Sequence, residues 1–80
     1  MANGVIIYGD RYNVLYSYGI PVAYIDRREN LGYETKTWFG KKVIKHIDYF
    51  LRTHMMSVNI IIKVDQDDIE RSFKLRVECI

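Results

Sequence analysis

A chain of 80 residues with a formal net charge of +2 has material for one hydrophobic core and no separate catalytic or regulatory module. Its 49% hydrophobic and 28% charged residues exclude intrinsic disorder, and so small a positive charge gives no prompt toward phosphate backbones. The single cysteine, Cys79, excludes an intrachain disulfide or cysteine-based zinc site, and no apolar run approaches the roughly 20 residues that span a bilayer.

Four short strands with intervening turn signals fill the first half. They run Val5 to Tyr8, Arg11 to Ser17, Val22 to Asp26 and Tyr33 to Phe39, separated by Gly9-Asp10, Tyr18-Gly19 and the charged turn from Arg27 to Gly32. This order predicts an antiparallel meander.

From Lys41 the period changes. Val43, Ile44, Ile47, Phe50 and Leu51 recur at three and four residues, opposite Lys41, Lys42, Lys45, Asp48 and Arg52, which predicts an amphipathic helix ending near His54. Alternation then returns, with Val58, Ile60, Ile62 and Val64 on one face, a polar turn at Asp65 to Asp68, and a strict alternation from Ile69 to Cys79. These last two stretches predict a C-terminal β-hairpin. The fold expected is a single α+β domain over residues 1–80, with the helix on one face of an antiparallel sheet and the other face open.

Seven tyrosines are the compositional anomaly. Tyr12, Val14, Tyr16 and Tyr18 share one parity in the second strand, and Tyr24 extends the row from the third. Tyrosine combines a large apolar ring with a polar tip, so the row serves either ordinary packing or a recognition surface. Trp38-Phe39-Gly40-Lys41-Lys42 leads into the helix, and with Lys45 it forms a basic edge with two readings: solvated lysines, or an anion held at the helix start. Arg27 and Arg28 mark a charged turn of the kind that serves either as a solvated loop or as an interface.

Catalytic and metal-binding chemistry finds little footing. His46 and His54, eight residues apart on one helix, lie about 12 Å apart, too far to ligate one metal. Asp65 to Asp68 lacks the glycine and terminal glutamate of a calcium loop. Cys79, Ser17, Ser57, Ser72, His46 and Asp48 show no catalytic spacing, and no glycine-rich phosphate loop is present. No cofactor and no enzymatic activity are expected.

Ser17-Tyr18-Gly19-Ile20-Pro21-Val22-Ala23-Tyr24, followed by Thr35, Thr37 and then Lys45-His46-Ile47, resembles a family of small uncharacterised proteins of bacteria and their phages. The resemblance covers roughly Tyr12 to Leu51 and departs at Gly40, Lys42 and Val43, where relatives often carry Ser and Thr. It implies a phage or mobile-element setting and a protein that works by stoichiometric binding to host machinery, as anti-CRISPR and other counter-defence inhibitors do.

The expectation is therefore a cytoplasmic, non-catalytic binding protein whose partner is a host protein or protein complex. Tyr16, Tyr18, Tyr24 and Trp38 are the expected anchors, and Arg27, Arg28, Lys41, Lys42 and Lys45 the steering charges. Two further readings stay open: a small nucleic-acid-binding module in which the tyrosines stack on bases, and a homodimer through an open sheet face or edge.

Overall fold

Turn chemistry sets the register of the first half. In the computed structural model, which describes residues 3–54 and 60–73, β1 (Gly4–Tyr8), β2 (Tyr12–Ser17), β3 (Ile20–Asp26) and β4 (Leu31–Thr35) form an antiparallel meander. Ser17 pairs with Ile20, so Tyr18 and Gly19 alone make the β2–β3 turn, both with positive φ (53° and 80°). That geometry matches the right-handed twist of the flanking strands, and Gly19 adopts it without steric cost. At the β3–β4 turn the buried Asp26 carboxylate accepts the backbone N–H groups of Arg28 (3.0 Å) and Glu29 (3.3 Å).

Pro21 lies within β3, where it lacks an N–H for the ladder. The β2–β3 register shifts between Leu15 and Tyr16, opposite this proline, so the irregularity falls where a central strand tolerates Pro.

The helix α1 (Lys41–His54) occupies the span predicted for it. Gly40, with φ 107°, starts it, and its carbonyl accepts the Ile44 N–H at 3.2 Å. Val43, Ile47, Phe50 and Leu51 pack with Leu15, Val22, Ala23 and Ile25 into one core cluster, joined by Ile6 from β1. Phe50 is fully buried, and truncating such a ring to alanine costs about 3 to 5 kcal/mol.

The α+β class, the meander and the helix on one sheet face agree with the sequence; the C-terminal hairpin does not. β5 (Ile61–Val64) pairs with β4 in parallel, giving the strand order β1-β2-β3-β4-β5 with α1 as the crossover of a βαβ unit. The next segment is a second helix, α2 (Gln66–Phe73). Its start is set by Asp65, whose carbonyl accepts the N–H groups of Asp68 (3.1 Å) and Ile69 (3.3 Å), with Asp67 and Asp68 at the positive end of the helix dipole. Ile69 and Phe73 are four residues apart, a spacing shared by one face of a strand and one face of a helix, so their pattern fits both. The strand expected beyond Phe73, and the part expected at 58–59, lie outside the described residues.

Two smaller differences matter for function. β4 begins at Leu31 and ends at Thr35, so Trp38 and Phe39 are not strand residues; the Thr35 Oγ1 accepts the Thr37 N–H at 3.1 Å where the chain leaves the sheet. The sheet face opposite α1 is also not open, because α2 packs against β3 there.

A candidate partner-binding groove

The tyrosine row of β2 and β3 lies beneath α2. Tyr24 stacks on Tyr33 (centroids 4.5 Å, planes 12° apart) and meets Phe73 at 4.6 Å, while Tyr12 packs edge-on against Tyr24 (5.8 Å) and Phe73 (5.3 Å). Tyr16 is buried, and its hydroxyl donates to the Phe73 carbonyl. Burial pushes the Tyr24 phenol up to about 12, with Tyr33 and Tyr12 reinforcing the shift, and burial also pushes Tyr16 up. Tyr16 and Tyr24 thus help to dock α2. Their rings are already engaged with protein.

Tyr18 is different. Placed on the β2–β3 turn, it is 49% exposed, with its ring 5.9 Å from that of His46 on α1.

The arginine turn is partly internal as well. Arg27 donates to Asn13 Oδ1 at 2.7 Å and to the Gly9 carbonyl, tying the β3–β4 turn to the β1–β2 turn. Arg11 donates from Nε and Nη2 to the two oxygens of Asp26 (3.0 and 2.7 Å). Its hydrogen bonds, with those from the Glu29 and Arg28 amides, hold the Asp26 carboxyl below the usual carboxylate range against the opposing effect of burial. Arg28, Lys41 and Lys42 are exposed.

Trp38 and Lys45 line a groove of about 540 Å³ between α1 and the β4–β5 side of the sheet. Trp38 stands at its lip, 66% exposed. The apolar lining comes from Ile44, Ile47 and Leu51 of α1 and Ile61 of β5. Lys36, Lys45, Arg52 and Lys63 contribute four cations against the two carboxylates of Glu34 and Asp48.

The structure therefore unites only Trp38 and Lys45 of the expected site residues. It places Tyr16 and Tyr24 under α2, Tyr18, Arg27 and Arg28 on turns, and Lys41 and Lys42 at the start of α1 outside the groove lining.

Periodicity places Ile44 on the apolar side of α1, yet it is 45% exposed. A signal was available: Val43, Ile47 and Phe50 form one ridge at i, i+4, i+7, and Ile44, Ile47 and Leu51 a second at i, i+3, i+7. Val43, Ile47, Phe50 and Leu51 all pack into the core, and Ile44, at the margin of that stripe, turns outward to the groove. Ile61 and Lys63 had no such signal, because their position depends on the parallel pairing of β5 with β4.

Comparison with family models, with curated proteins and with solved structures returns no match.

Proposed function

We propose that the chain is a non-catalytic binding protein that holds an acidic protein partner in the groove between α1 and the β4–β5 side of the sheet. One observation carries the reading. The groove combines an exposed tryptophan and three isoleucines with a two-cation excess at its rim, the aromatic and apolar anchors with polar surround that interfaces use. The resemblance to small phage and bacterial proteins supports a stoichiometric inhibitor of a host complex, of the anti-CRISPR type, acting in the host cytoplasm.

Nucleic acid is the weaker reading. Base stacking requires free aromatic faces, and of the tyrosine row Tyr12, Tyr16 and Tyr24 are engaged beneath α2, which leaves only Tyr18 exposed.

The test is capture from host lysate by the tagged chain, with and without nuclease. A nuclease-resistant protein should be retained, and its retention should fall at least tenfold with Trp38→Ala or Ile44→Asp. Retention abolished by nuclease, or unaffected by both substitutions, would sink the proposal.

A further inference from the structure

Among the described residues, part of one sheet face carries no helix, and that part has the width of one. Strands lie about 4.8 Å apart and a helix with its side chains is about 10 Å across, so one helix roofs about two strands. α1 spends its width on β2 and β3, although it connects β4 to β5. On the same face β4 and β5 are left with the groove above them, bounded on one side by the ridge of Ile44, Ile47 and Leu51.

Resting on the groove as the binding site, we infer that its occupant is an amphipathic helix of a partner protein, lying alongside α1 on β4 and β5, with acidic residues flanking its apolar stripe. Ile44 stands clear at the groove wall beside the buried Ile47 and Leu51, and with Ile61 and Trp38 it offers apolar contacts to a helix lying about 8 to 10 Å from α1. A strand added along the outer edge of β5 would extend the sheet sideways and leave this volume above it unfilled.

The charges specify the flanks. Arg52 pairs with Asp48 at 3.3 Å, Lys63 with Glu34 at 3.8 Å and Lys36 with Asp65 at 3.7 Å. The cations of all three pairs are well exposed, so these pairs are weak and exchange readily for a partner's carboxylates. Among the described residues Lys45 has no carboxylate within salt-bridge distance. Glu or Asp on the incoming helix would meet cations on the α1 side, from Lys45 and Arg52, and on the sheet side, from Lys36 and Lys63.

Trp38 is the chain's only tryptophan, so its fluorescence reports on the groove directly. The probes are tryptophan-free peptides of about 18 residues, long enough to form a helix when bound. One has Leu at i, i+3, i+4 and i+7 with flanking Glu; a second has that composition scrambled; a third carries Lys for Glu; a fourth alternates apolar and acidic residues as a strand. The helical Leu/Glu peptide should shift Trp38 emission saturably and bind at least tenfold more tightly than the other three. Ile44→Asp should weaken it at least tenfold, with the circular dichroism spectrum and melting temperature of the chain unchanged.

Equal binding of the scrambled peptide, preference for the strand peptide, or no saturable response up to about 1 mM, the edge of weak affinity, overturns the helix. A Trp38 shift that follows chain concentration without peptide overturns it in favour of a second copy. If Ile44→Asp abolishes lysate capture while no helical peptide is preferred, the groove stands and the helix falls; if capture is indifferent to Ile44→Asp, the groove itself is wrong.

Discussion

Ser17 Oγ and His46 Nδ1 lie 2.8 Å apart, joining the end of β2 to the second turn of α1 across 29 residues of sequence. A serine beside a histidine resembles half of a hydrolytic site, yet Ser17 is only 2% exposed, so its hydroxyl does not face a substrate-sized space. The bond orients α1 on the sheet, and with it the groove-facing ridge.

Ser17→Ala should lower unfolding free energy by about 1 to 2 kcal/mol, because a half-buried ring nitrogen loses its partner. A double-mutant cycle with His46→Gln checks the cause, and coupling of about 0.5 to 1.5 kcal/mol is expected. Additive single effects would show that the two side chains do not act together.

Acid stability should depend on Arg11. Asp26 is 3% exposed and carries the Arg11 fork together with two turn amides, which hold its folded pKa below the unfolded value of about 3.9. The folded state thus gives up this proton more readily than the unfolded chain. The resulting stability is complete above about pH 4 and is lost as pH falls through the folded pKa. Arg11→Ala should lower the melting temperature at neutral pH by several degrees and flatten its fall between neutral pH and about pH 3. Parallel losses in parent and variant would assign the acid sensitivity to other groups.

At the alkaline end the sign reverses. Tyr24 has a folded pKa of about 12 against about 10 when unfolded, so the folded state keeps a proton that the unfolded chain gives up. Stability is full below about pH 10 and drains away between about 10 and 12. In a spectrophotometric titration one tyrosine should ionise near pH 12, and Tyr24→Phe should remove that step and shrink the alkaline loss of stability. An unchanged alkaline limb in Tyr24→Phe would locate the effect elsewhere in the aromatic cluster.

Local signals carried most of the first half of the fold. The paired turns, the alternation of β2 and the two-ridge helix are each written within a dozen residues, and α1 runs from Lys41 to His54 as its periodicity requires. What the chain does after α1 was not legible in this way. Parallel pairing of β5 with β4 is a contact between distant segments with no local marker, and Ile69 with Phe73 satisfies both periods. The decisive cue for α2 was the acidic run, read as a turn although it also suits the start of a helix. The candidate groove divides likewise: Trp38 and Lys45 are legible beside a helix start, whereas Tyr16 and Tyr24 lie beneath α2, which no local signal announces.

Tyr18 is the residue where stability and function should separate. It holds φ 53° in a two-residue turn whose first position favours Asn, Asp or Gly, since Cβ crowds the following carbonyl in the left-handed region, a cost that glycine avoids and a short polar side chain offsets by hydrogen-bonding locally. Its ring recovers part of that cost against His46 at 5.9 Å, but half of it remains in water. Tyr18→Asn should therefore stabilise the chain by about 0.5 to 1 kcal/mol, as compatible turn replacements do. If Tyr18 is retained as a partner anchor outside the groove, the same variant will be more stable and yet capture less partner from lysate. A more stable Tyr18→Asn chain with full capture would remove Tyr18 from the interface and leave the groove as the whole of it; a destabilised one would mean that the contact with His46 outweighs the strain of the turn.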